Sequence, residues 1–393
     1  MGQHAKLSAS GSHRWLACPA SVKAEEGLPD KSSIHAAEGT AAHELAEIVL
    51  KYGGDCQDWI GKKLPESLWP VDQEMADYVQ EYVNFVRYHG HQEAFSAFEV
   101  RVDFSDWVPD GFGTCDALII DAKTMHVIDL KYGKGVPVSP YQNSQGMLYA
   151  LGAYADYGDM AEIETVRITI AQPRVNEGAP ESWEIPLPEL LKWGEWVRQR
   201  AEKCFEPDAE FVPGNKQCQW CKAKPTCKAL ATMTEQAIMA EFDDVTDADS
   251  LTPVNRLSDD QLAAVLKAKK LIASWLEAVE SHVFERLDNG GSFTGYKLVA
   301  GKSNRRWIDE AEAGTALFEL LGDAAYTQKL LSPAQAEKAL GKKQASAITP
   351  FVTKGEGAPT LVPDDDPRPS IGVTADDFEF AIPKWQFMPN TAR

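Results

Sequence analysis

The chain has 393 residues, 44% of them apolar, enough for one large or two ordinary domains with a real core. Its formal net charge of −20 argues against a broadly basic nucleic-acid surface, since phosphate contacts need local Lys and Arg; the acid is concentrated near residue 245 and in the C-terminal tail, so a neutral or mildly basic groove elsewhere stays available. No apolar run reaches membrane length, the start MGQHAKLSAS lacks a secretory layout, and seven cysteines, three of them clustered, point to metal-bound thiolates in a reducing cytosol and away from a disulfide framework.

In chain order, AAHELAEIVLKY predicts a helix with Leu45, Ile48, Val49 and Tyr52 on one stripe, and DQEMADYVQEYVNFVRY predicts a second. SAFEVRVDF, TCDALIID and MHVIDLK read as three strands, the last two joined in a hairpin by a short turn. YQNSQGMLYALGAYA returns to helical period, TVRITIAQP and SWEI are strands, and PLPELLKWGEWVRQRAEKCF is a helix opened by proline. The cysteine cluster CQWCKAKPTC follows directly. After an acidic linker, SDDQLAAVLKAKKLIASWLEAVESHVFERLDNGG predicts a long helix. Ser258 and Gln261 fit its capping box, and Leu262, Val265, Leu266, Ile272, Leu276, Val279, Val283 and Leu287 form its apolar stripe. The expected organisation is residues 1–235 as an α/β domain with a mixed central sheet flanked by helices, 236–257 as linker, 258–355 as an α+β accessory region, and 356–393 as an acidic, Pro-rich, poorly ordered tail.

Alternation along the MHVIDLK strand puts Asp129 and Lys131 on one face, with Ile128 and Leu130 on the other, and Asp116 comes from the neighbouring strand. Two carboxylates beside a lysine can hold Mg²⁺ and steer a water at a phosphodiester; the same triplet also reads as a cross-strand ion pair at a sheet surface. Gly111-Phe112-Gly113-Thr114 leaves room for a ligand beside Asp116. Gln145 and Tyr149, four apart, share a helix face. His43 follows Gly39-Thr40 on an early helix, where it is either a ligand or an ordinary helix histidine.

Taken in order, His43, Asp116, Asp129-Leu130-Lys131 and Gln145-Gly-Met-Leu-Tyr149 resemble the RecB-like branch of the PD-(D/E)XK nuclease superfamily over roughly residues 7–232. Cys115 stands where that name has proline. The resemblance implies a restriction-endonuclease-like core and a Mg²⁺- or Mn²⁺-dependent deoxyribonuclease, in particular an exonuclease. His43, Asp116, Asp129 and the main-chain carbonyl of Leu130 would hold the metal, Lys131 would position the attacking water, and Gln145 and Tyr149 would support the site or touch the DNA backbone. Gln172-Pro173-Arg174 would offer a phosphate contact.

The resemblance also answers where a fourth ligand for Cys218, Cys221 and Cys227 lies. In AddB-like nucleases one cysteine before the core joins three just after it, and Cys18 repeats that arrangement here. Such a set holds a 4Fe–4S cluster, stapling the two ends of one domain; spacing alone also allows a zinc ion on the same thiolates. Cys56, Cys115 and Cys204 are expected to be free, semi-buried thiols. Lys297, Lys302, Arg305 and Arg306 form either a solvated basic loop or a DNA-backbone contact. The chain also resembles a phage- and prophage-borne family of unknown function. That implies work on phage DNA recombination or replication in a bacterial host cytoplasm, beside a single-strand-binding or annealing protein. The alternative is a module that binds DNA or a replication partner through a nuclease fold with little turnover; the net charge of −20 speaks mildly for protein partners.

Overall fold

The computed structural model describes residues 5–29, 34–90, 94–175, 179–239 and 259–297. Residues 240–257 of the expected linker, Ser258 of the expected cap, Lys302, Arg305, Arg306 and the acidic tail lie outside them, whereas residues 236–239, expected as linker, end a helix. The chain divides into units Met1–Leu298 and Val299–Arg393, and every described element belongs to the first.

Two short helical turns, α1 (Ser12–Trp15) and α2 (Ser21–Ala24), precede α3 (Ile34–Tyr52) and α4 (Gln73–His89). The Asp72 carboxylate accepts from the Met75 N–H at 2.8 Å to start α4. Met75, Ala76, Val79, Tyr82, Val83 and Val86 then form its buried face, at the three-four spacing the sequence shows. The strands are β1 (Phe95–Asp103), β2 (Phe112–Asp121), β3 (Thr124–Leu130), β4 (Thr165–Ala171) and β5 (Glu181–Pro186), in spatial order β1-β2-β3-β4-β5. β3 and β4 are parallel and the other pairs antiparallel, so the sheet is mixed. The parallel pair requires a crossover, which is α5 (Ser144–Tyr157). The expected β2–β3 hairpin is present, with Ala122 in the left-handed region at φ 49°.

Helices cover both faces. α3 and α4 bury one face on Ala117, Ile119, Ile128 and Leu130. α5 and α6 (Leu187–Lys203) bury the other on Leu118, Met125, Val127 and Ile168. Each fully buried aliphatic side chain contributes roughly 1.5–3 kcal/mol, so this three-layer core is ample for a fold of this size. α5 lies close on the sheet because Gly146 has no side chain: a Cβ there would meet Ile168 Cγ2 at 2.6 Å.

α7 (Asn215–Cys218), α8 (Lys228–Met239) and α9 (Asp259–Asp288) complete the unit. α9 docks on the cysteine segment through Leu271 and Trp275, which pack with Cys218, Cys227 and Leu230. The contact face is thus offset from the expected stripe. Leu262, Val265, Leu266 and Leu276 are exposed. α9 also belongs to the first unit and not to a region that follows it. Among the described residues no helix is long and apolar enough to cross a membrane.

Candidate metal centre

The β1–β2 ladder runs in register from both ends but breaks in the middle. Phe98 pairs with Ala117 and Val100 with Cys115, leaving Glu99 opposite Asp116 without a ladder pair. Phe98 and Ala117 pack toward α3 and α4, whereas Val100 and Cys115 pack toward α5, so both strands lose their alternation at this point. Glu99 holds a left-handed φ of 45°, a conformation that costs a non-glycine residue about 1–3 kcal/mol and concentrates at functional sites. The β2–β3 ladder stops at Ala117–Ile128. The Leu130 N–H just beyond it is taken by Asp116 Oδ2 at 2.7 Å.

The break brings three ligand-type groups together. His43 Nδ1, from the buried side of α3, lies 3.4 Å from Asp116 Oδ1 and 3.5 Å from Glu99 Oε1. Among the described residues, His43, Glu99 and Asp116 are the group of three whose ligand atoms all fall within 4.8 Å of one another. Burial alone would push His43 down, but the Asp116 and Glu99 carboxylates outweigh it and hold it well above the ordinary imidazole value. Glu99 is pushed up by burial, with Asp116 adding to the effect and His43 opposing it. Sequence reading missed Glu99; its one signal is an acid between Phe98 and Val100 in the middle of a strand.

Asp129 and Lys131 share a face, as alternation predicts. Lys131 Nζ is 2.8 Å from Asp129 Oδ2 and donates to Asp129 Oδ1 at 3.0 Å and to Gln145 Oε1 at 3.1 Å. Gln145 Nε2 donates to Asp129 Oδ1 at 3.0 Å and to the Tyr149 hydroxyl at 3.1 Å. Gln145 is therefore the pivot that fixes the acid, the lysine and the tyrosine. Asp129 is 2% exposed. Burial raises its carboxyl, Lys131 pulls it back, and Asp116 raises it again. Lys131 is raised as well: burial lowers it, but Asp129 and then Asp116 carry it above the usual lysine value. Despite the nearby lysine, Asp129 Oδ2 accepts no well-formed hydrogen bond. That oxygen is still paired electrostatically with the Lys131 ammonium at 2.8 Å.

Two expectations change. Gly111 and Gly113 do not make room for a ligand. A Cβ at Gly113 would meet Tyr149 Cε1 at 2.6 Å and one at Gly111 would meet Phe104 Cδ2 at 2.6 Å, so the protein's own rings fill the space. Arg174 does not face solvent for a phosphate. Its side chain is 5% exposed and joins Glu38 at 2.9 Å and Glu74 at 3.0 Å, stacked on Tyr132. Gln172 holds the Val138 N–H and the Val136 carbonyl. Both residues brace the loop after β3.

Cys18, Cys218, Cys221 and Cys227 line one pocket, with Phe211 and Leu230. Cys18 Sγ accepts from the Val212 N–H and Cys218 Sγ from the Gly214 N–H, each at 3.3 Å. The N-terminal segment is tied down by Arg14–Glu25 at 2.9 Å and by Arg200 donating to the Leu16 carbonyl at 2.8 Å. Burial raises the thiols of Cys18, Cys218 and Cys221, the last to about 12. Cys56, Cys115 and Cys204 are buried free thiols outside this set.

A family model described as "Protein of unknown function (DUF2800)" matches residues 4–369.

Proposed function

The chain belongs to the DUF2800 family, and we propose that it is a metal-dependent DNA nuclease of the RecB-like type, an exonuclease in recombination or replication of phage DNA. The observation that carries this reading is the convergence of His43, Asp116 and Asp129 beside Lys131, with Gln145 linking acid and lysine. The residues fit a hard divalent cation: His43, Glu99 and Asp116 bring ligand atoms within 4.8 Å of one another, Asp116 and His43 act electrostatically on the buried Asp129, and Glu99 is strained at the break in the β1–β2 ladder. Mg²⁺ or Mn²⁺ would be held by His43, Asp116, Asp129 and the Leu130 carbonyl, with Glu99 as an added ligand. Such an ion, when bound, supplies Lewis-acid stabilisation and a more acidic water.

The chain's own groups do the rest. Lys131 stays charged between Asp129 and Gln145, and places a proton donor where a phosphate oxygen or an attacking water would lie. Gln145, held by Tyr149, fixes the position of the Lys131–Asp129 pair. The ring of Tyr149 over Gly113 closes the apolar side and limits water.

The four thiols fit a metal group as well: they line one pocket and two accept backbone N–H bonds, as metal-bound thiolates do. These four thiolates would hold a 4Fe–4S cluster, with a zinc ion on the same ligands as the alternative.

The test is incubation of the purified chain with linear DNA and Mg²⁺ or Mn²⁺. Cleavage is expected, falling at least about a hundredfold in Asp129→Asn with its melting curve intact, and in Lys131→Met by more than its loss of stability accounts for. Binding without turnover in the parent would instead support the module reading.

A further inference from the structure

An apolar recess lies beside the metal centre. Pro137, Val138, Ile170, Gln172, Val175 and Glu181 are among the residues that line a cavity of about 120 Å³, room for roughly four waters. It shares a sheet face with Asp129, because Asp129 is in register with Ile170 across β3–β4 and Ile170 with Glu181 across β4–β5. Two strand spacings, about 10 Å, therefore separate the Asp129 position from Glu181. The recess has no cation among its lining residues, so it does not suit a phosphate. Its glutamine is already bonded at both ends of the amide.

At its edge stand two aromatic rings. Trp183 is two residues along β5 from Glu181, on the same face and half-buried against the core. Tyr141 meets it edge to face at 5.5 Å and 69° while remaining 63% exposed to solvent. The turn that presents Tyr141 is fixed. The Tyr141 N–H donates to Ser139 Oγ at 3.2 Å, Gln142 takes a left-handed φ of 49°, and Asn143 caps α5 through the Gly146 N–H at 3.0 Å. Gln145 of the metal centre follows within the first turn of that helix. An exposed aromatic ring is thus held rigidly next to the chemistry.

We propose that Tyr141, backed by Trp183, is a stacking platform for an unpaired nucleobase of the substrate strand, one or two nucleotides from the scissile phosphate, whose edge enters the recess. The proposal rests on the nuclease reading. Stacking suits a base of any identity, since every base has a π-face. It gives the enzyme a hold on single-stranded DNA that does not depend on positive charge, which suits a chain of net charge −20.

The experiment measures cleavage of a labelled single-stranded oligothymidylate with Mn²⁺, and its binding to an Asp129→Asn background. Tyr141→Ala should raise KM and weaken binding about tenfold, with kcat changed little, and Tyr141→Phe should stay near the parent. A single abasic site, moved along the oligonucleotide, should reach one position where the parent loses binding as far as Tyr141→Ala and the variant loses nothing more. A parent that cleaves, with Tyr141→Ala showing parental KM and the same response to abasic sites, overturns the platform and leaves the nuclease reading standing. A parent that neither cleaves nor binds the oligonucleotide overturns both.

Discussion

Lowering the pH should expose the cost of one buried imidazole. His126 on β3 is 3% exposed, its Nε2 lies 2.6 Å from Thr169 Oγ1, and its ring packs edge-on against His89 at 5.0 Å. Burial, then His89 and Arg167, push it down to about 3. An unfolded histidine titrates near 6.5. Because the folded value is the lower one, the unfolded chain takes up the proton first. The stability associated with a neutral His126 is therefore complete above about pH 6.5 and is lost progressively between there and pH 3. From pH 7.5 to 5 the linkage amounts to about 2 kcal/mol. His43 works in the opposite direction, since its folded value is raised, so the parent's total slope mixes both. The difference between parent and His126→Gln, which keeps a partner for Thr169, isolates the one residue. Urea unfolding followed by tryptophan fluorescence at pH 7.5 and pH 5 should show the variant losing about 2 kcal/mol less than the parent. Identical losses would mean that His126 is not held neutral in the fold.

Glu99→Gln should weaken Mn²⁺ binding in calorimetry about tenfold while leaving the sheet intact, because an acid at a strained strand break serves the ion and not the ladder; unchanged affinity removes it from the ligand set. Arg174→Met should lower stability by roughly 1–3 kcal/mol, as it leaves Glu38 and Glu74 facing each other, yet leave DNA affinity unchanged. A variant of parental stability with weakened DNA binding would restore the phosphate role. Cys18→Ser and Cys221→Ser should lose iron, brown colour and melting temperature together, whereas Cys56→Ser should keep all three. The opposite pattern breaks the four-thiol assignment.

The elements with strong periods were legible. α4, the three strands that carry the acids, and the shared face of Asp129 and Lys131 follow from spacing alone, because a two-residue or three-four period survives whatever packs on it. Glu99 was not legible: a left-handed residue inside a strand erases the very alternation by which strands are read. Arg174 was misjudged because its partners are 136 and 100 residues away, on α3 and α4, and no local pattern announces them. Gly113 was misjudged because a missing side chain looks the same whether a ligand or Tyr149 fills the gap. The face of α9 was offset because Leu271 and Trp275 answer to the cysteine segment, a surface whose shape the helix's own sequence does not contain.

The pocket that gathers Cys18 with Cys218 also has a consequence in time. On the ribosome Cys18 emerges 200 residues ahead of Cys218. At about 5–20 residues per second, the first thiol waits roughly 10–40 s before its partners exist. During that interval Trp15 and Leu16, buried in the finished fold, have no α6 to cover them, and Arg14 lacks the Trp220 carbonyl. The contacts of the N-terminal segment with the cysteine segment therefore form only after the chain between them has been made.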